Sequence, residues 1–363
     1  MTHMEKKHRI NLSSFDLVKG AGILEIVTFH TLTHVDLSGS PGLTLLSRLI
    51  QYTAIGLMPM FFVISGYGFK EKSPAKMLKK TVVSLIVPYL CVMLGYLVIY
   101  PVAYCGVVYR GDWRAAFART MQYIAAFLLG LSRDGVVVFG YRTTWCTAAW
   151  YFLATFVAFN VLNGIVRLRH IAAQAGCVLL CAAASILLFR RGFYFYCLPQ
   201  GLVAVAYCYV GYLLRRYDLL ERLSGSVWTY LVLIPAYLIQ LKWGGCDLAQ
   251  GVFRHIVWDY IGAGCAGLLF LFIGIRLAQT EWKGLDWIRQ LGMYSYWIFA
   301  LHSIEMEALP WSHWLQPLAA WPAAALLLEA LAKIVLFTAG CTLLKKAAKY
   351  RYQRRLLRHG YGK

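Results

Sequence analysis

The chain has 363 residues, 60% of them hydrophobic and only 14% charged. That balance excludes a soluble globular protein, and 12 Trp, 24 Tyr and 19 Phe suit the aromatic belts of a membrane interface. A net charge of +20 would suggest nucleic acid in a soluble protein; here the basic residues cluster between apolar runs, so no nucleic-acid partner is expected.

Lys6, Lys7 and Arg9 precede the first apolar run, but Lys19 and Glu25 interrupt that run and no A-x-A cleavage site follows, so an uncleaved first span is expected. Runs long enough to cross a bilayer, roughly 17–25 residues each, fall at 17–35, 49–69, 82–102, 147–166, 171–189, 195–214, 226–243, 255–276, 289–306 and 318–344. Threaded from a cytoplasmic N-terminus, these spans leave 24 Lys and Arg on the cytoplasmic side and ten outside, as the positive-inside rule requires. The predicted fold is an all-α integral membrane bundle of about ten transmembrane helices with both termini cytoplasmic. Residues 1–344 form its transmembrane domain and 345–363 a basic cytoplasmic tail.

The first span, FDLVKGAGILEIVTFH, places Asp16, Lys19, Glu25 and His30 in an apolar helix, where ionisable groups are costly and usually functional. Lys19 and His30 share a helix face about 16 Å apart along the axis. Glu25 points elsewhere and is expected to bond to another span, with Lys333 of the last span as one partner it could find. His34, one turn beyond His30, reads as an interfacial residue. In the second span Ser65, Gly66 and Tyr67 mark a break or a close helix contact. Lys76, Lys79 and Lys80 follow on the cytoplasmic side, where they either hold orientation or funnel an anion.

The segment 103–146 is expected outside, carrying a short apolar helix at 117–131 that is re-entrant or interfacial. It either meets an external substrate or simply connects two spans. Trp150 and Tyr151 open the fourth span as a stacking platform or as part of the aromatic belt. In the ninth span His302 and Glu305 stand at i and i+3, a spacing that lets the carboxylate orient the imidazole. Glu329 and Lys333, at i and i+4, read as a mutually neutralising pair. The ten cysteines show no metal-ligand spacing, and those within spans read as packing residues. Cys105, Cys146 and Cys246 share the external side. No metal site is expected, and no internal repeat of the kind that builds paired-half transporters is evident.

Several phrases together resemble the membrane-bound acyltransferase 3 family. They are Asp16, Lys19 and His30 in the first span, MPMFFVISGY at 58–67, KMLKKTVVSLIVPY at 76–89, WYFLATF at 150–156 and SYWIFALH at 295–302. Two departures stand out: Lys19 sits where the family usually has Arg, and the family's Arg just before the third span is missing. The resemblance implies transfer of an acyl group, most simply acetyl, from acyl-CoA to a hydroxyl of a surface carbohydrate, in the bacterial cytoplasmic membrane and with no prosthetic group. It implies His30 as general base and Lys19 on the donor, with Lys76, Lys79 and Lys80 able to supply the charge of the missing Arg. The residues themselves add His302 and Glu305 in support, Trp150 and Tyr151 on the acceptor, and Asp16, Glu25, Ser65 and Gly66 as orienting residues. The tail is expected to bind anionic lipid at roughly 1 kcal/mol per basic residue. A glycan or metabolite transporter and a non-catalytic membrane sensor are the alternatives.

Overall fold

The computed structural model describes residues 12–280 and 282–358. Lys6, Lys7, Arg9 and the end of the basic tail lie outside the described residues.

Helices α1 (Leu12–Leu32) and α2 (Pro41–Tyr67) are joined by a short turn, and Pro41 occupies the first position of α2, where its missing N–H costs nothing. Helix α3 (Pro74–Thr81) continues through a π-helical turn at Val82–Ile86 into α4 (Val87–Val107). A π turn loosens the hydrogen-bond ladder, and here the Tyr296 hydroxyl donates to the Ser84 carbonyl at 2.5 Å. Helix α5 (Trp113–Leu129) starts at Asp112, whose carboxylate accepts from the Ala115 N–H at 3.0 Å, and stops at Gly130 in the left-handed conformation. It returns antiparallel along α4: the Tyr89 hydroxyl donates to the Phe127 carbonyl at 2.5 Å, and Tyr100 packs on Tyr123 at 5.1 Å. Irregular backbone with the two-residue hairpin β1 (Val137–Val138) and β2 (Tyr141–Arg142) then leads to α6 (Trp150–Ile165).

Helices α7 (Ile171–Arg190), α8 (Leu198–Arg216), the short α9 (Leu219–Ser224) and α10 (Val227–Trp243) follow. A second hairpin, β3 (Cys246–Asp247) with β4 (Val252–Phe253), precedes α11 (Ile256–Ala278). Asp259 holds that hairpin, its carboxylate accepting from the backbone N–H groups of Gly245 at 3.0 Å and of Arg254 and His255 at 2.8 Å. Helix α12 (Asp286–Ala308), the single turn α13 (Trp311–Trp314) and α14 (Pro322–Arg358) complete the chain. Helix α14 runs unbroken to Arg358, so residues 345–358 of the basic tail are helical.

All ten apolar runs fall on helices, and seven of the described helices are long and apolar enough to cross a membrane. The other three runs belong to α1, interrupted by Asp16, Lys19 and Glu25; to α10, with 17 residues; and to α12, which carries Asp286, Arg289, Glu305 and Glu307. Large apolar side chains face outward on α7, α10 and α14, among them Leu179, Leu180, Val227, Trp228 and Leu327. In water such faces would aggregate; against lipid they are the solvated surface. The chain is a multi-pass membrane protein.

The pairing of α1 with α12 fixes everything that follows. A Cβ on Gly20 would overlap the Ile288 carbonyl, and one on Gly292 would overlap the Asp16 carbonyl, so only glycine lets these backbones touch. Gly66 plays the same part between α2 and α8, where a Cβ would strike the Cys208 carbonyl.

Candidate active site

Helix α1 lines two internal cavities in succession. The first, about 280 Å³, takes Lys19, Ile23 and Ile26 from α1, Ser65 from α2, Tyr151 and Thr155 from α6, and Ser295 and Tyr296 from α12. The second, about 410 Å³, takes Ile26, Phe29 and His30 from α1, Gln51 from α2, Trp145 and Trp150, and residues 246–250 of the β3–β4 hairpin. Lys19 and His30 therefore lie on one face of α1 and open into different chambers. Lys19 is partly exposed, and its ammonium pairs with Asp16 at 2.7 Å.

Behind His30 lies a buried polar network drawn from α1, α12, α13 and α14. The His30 and His302 rings are 5.2 Å apart between centroids. His302 is fully buried, and its Nδ1 lies 2.6 Å from Glu305 Oε1. Glu305 Oε2 accepts from the Trp311 indole N–H at 2.6 Å, and Lys333 Nζ lies 3.4 Å from Oε1. With donors at both oxygens, the carboxylate acts as acceptor, which assigns the proton to His302 Nδ1 and leaves Nε2 bare. That Nε2 is buried without a hydrogen-bond partner in the protein. Lys333 also binds Glu329 at 2.8 Å and donates to the Thr31 hydroxyl at 2.9 Å, while His34 Nδ1 meets Glu329 at 2.7 Å. Two carboxylates thus face one ammonium, a net formal charge of −1 if the histidines are neutral.

Several expectations change. Lys333 does not reach Glu25; Glu25 bonds to the Thr53 hydroxyl of α2, and Lys333 is already engaged by Glu305, Glu329 and Thr31. The Glu329–Lys333 pair is present but is one part of a larger cluster. His34 is tied into that cluster instead of standing at an interface. Trp150 and Tyr151 form no common platform: their rings stand at 84°, Trp150 lines the second cavity and Tyr151 the first. Neighbours on a helix point 100° apart, so they could not share a face. Lys76, Lys79 and Lys80 are exposed on α3 and line neither cavity. Ser65 lies 3.3 Å from the Tyr151 hydroxyl. Cys146 faces Cys197, Sγ to Sγ 3.9 Å, and not Cys105 or Cys246. Among the described residues no cluster of His, Cys, Asp and Glu fits a metal ion.

Sequence reasoning missed three parts of the site. Trp311, Thr31 and the β3–β4 hairpin carry no local motif. Glu329 and Lys333 were visible as an unusual charge pair in an apolar run, a signal that could have been joined to His302.

A buried His–Glu pair beside His30, which lines one chamber, and Lys19, which lines the other, make this stretch of the bundle the candidate site. Residues 12–346 match the family model described as an acyltransferase domain, and the chain belongs to the acyltransferase 3 family. Comparisons with curated proteins and with solved structures gave no match.

Proposed function

We propose that the protein is an O-acyltransferase of the bacterial cytoplasmic membrane, both termini cytoplasmic, that moves an acetyl group from acyl-CoA to a hydroxyl of a surface carbohydrate. The observation that carries this reading is the arrangement along α1, with Lys19 on one chamber and His30 on the next.

In this reading the first cavity receives the donor from the cytoplasm. Lys19 holds its phosphates, with Lys76, Lys79 and Lys80 raising the local concentration of the polyanion. The Tyr151 hydroxyl, paired with Ser65, supplies a donor for the thioester oxygen as negative charge develops there. The second cavity receives the acceptor: Trp145 and Trp150 offer apolar faces to a sugar ring, and Gln51, Asp247 and Gln250 offer hydrogen bonds to its hydroxyls.

Neutral His30 removes the proton as the acceptor oxygen attacks the thioester carbon. The imidazolium so formed lies beside the His302 ring, 5.2 Å between centroids, and Glu305 holds His302 as a carboxylate holds the histidine of hydrolase triads. The C–O bond forms, the C–S bond breaks, and the departing thiolate takes up the proton that His30 carried, which returns the imidazole to its neutral form. Residues 345–363 rest on anionic lipid.

Purified protein in liposomes, given labelled acetyl-CoA and candidate glycans, should release CoA and label the acceptor in equal amounts. A carrier or sensor with the same fold would release no CoA.

A further inference from the structure

The two cavities meet at three side chains that line both: Ile26 of α1, Met58 of α2 and Phe299 of α12. Their mobilities differ. Phe299 is pinned edge-on by Tyr151 at 5.5 Å and Phe152 at 5.4 Å, and Ile26 is buried on a helix locked to α12. Met58 is unbranched and able to change rotamer readily. It also precedes Pro59, which lies inside α2 and removes the hydrogen bond to the Ile55 carbonyl, loosening the helix beside it.

His30 stands one turn, about 6 Å, beyond Ile26. An acceptor hydroxyl within roughly 2.6–3.2 Å of His30 must also come within about 3–3.5 Å of the thioester carbon. Those two lengths bring the reacting carbonyl to the level of these three side chains. We infer that Ile26, Met58 and Phe299 form a gate at which the acyl group is measured, with Met58 as its moving part. The inference rests on the function proposed above. Each methylene beyond acetyl has to displace Met58 or press on the fixed Phe299 ring, and between turnovers the closed gate keeps water of the second chamber from the thioester.

The test compares CoA release from acetyl-, butyryl- and hexanoyl-CoA, with and without acceptor, by wild-type protein and by Met58→Ala, Phe299→Ala and Met58→Trp. Discrimination by one methylene in an apolar site is typically about 10–200-fold. Met58→Ala should therefore raise butyryl relative to acetyl turnover by at least about tenfold, and should raise acceptor-independent hydrolysis, in which water takes the acyl group and the thiol is released. Met58→Trp should block transfer while equilibrium binding of CoA survives. Phe299→Ala should act like Met58→Ala; because it also removes two ring contacts, Met58→Ala is the deciding variant. An unchanged chain-length ratio in a well-inserted, active Met58→Ala protein would overturn the gate and leave the proposed function standing. No CoA release by the wild type from any donor would overturn both.

Discussion

The two ends of α1 hold their charges in opposite ways. At Lys19 one ion pair, with side chains 29% and 20% exposed, sits at the mouth of a mostly apolar chamber. Around His302 the charges are sealed: Glu305, Glu329 and Lys333 are each at most 1% exposed and bond to one another and to Thr31, His34 and Trp311. An exposed pair is cheap to form and to lose, whereas removing one partner of a buried pair strands an uncompensated charge. The Lys19 pair is open to solvent and the cluster around His302 is closed to it.

The harshest challenge to that contrast is Lys333→Ala, which leaves two carboxylates buried without their cation. Breaking a buried pair typically costs about 3–5 kcal/mol, read as a lowered unfolding midpoint in detergent. Lys333→Met with Glu329→Gln should recover much of the loss; failure to recover would mean that packing, not charge, holds α14 in place.

Next in size is His30→Ala. Its side chain lines a cavity, so the fold should survive while transfer falls by the roughly 10²–10⁴-fold that a general base contributes. Substantial turnover by the folded variant would remove His30 from the chemistry.

His302→Ala should reduce acceptor-dependent turnover more than donor binding, as Glu305→Gln should, measured on the same preparations. Equal loss of both would make the pair a purely structural element.

The smallest structural effect belongs to Lys19→Ala, within about 1 kcal/mol for an exposed pair. Its signature should be weaker acyl-CoA binding with salt dependence reduced, and Lys19→Arg should retain binding. A destabilisation as large as that of Lys333→Ala would erase the distinction between the two ends.

How much of this was legible beforehand follows from distance along the chain. Charges inside apolar runs stand out, so Asp16, Lys19, His30, His302 and Glu305 could be singled out, and the i, i+3 spacing of His302 and Glu305 is a local fact of helices. The apolar runs also marked the helices themselves. Contacts between helices left no such trace: nothing in the spacing joins Lys333 to Glu305, or puts residues 246–250 over His30. Trp150 and Tyr151 show the opposite error, adjacent letters taken for adjacent surfaces. Lys76, Lys79 and Lys80 show that basic residues beside a span need not enter it.

The glycine crossing of α1 on α12 has one more consequence. Gly20 meets Ile288 and Gly292, and ten residues further along each helix His30 meets His302. The two helices therefore run parallel and in step, which imposes a parity on the chain: an even number of passages through the membrane must separate their starts. Eight long helices, α1, α2, α4, α6, α7, α8, α10 and α11, lie between those starts, an even number, and the loop 131–146 adds no passage of its own: it closes on itself, the Cys146 N–H donating to the Leu131 carbonyl at 2.7 Å, so α6 sets off where α5 ends. An odd passage anywhere between them would carry His302 to the far side of the bilayer from His30.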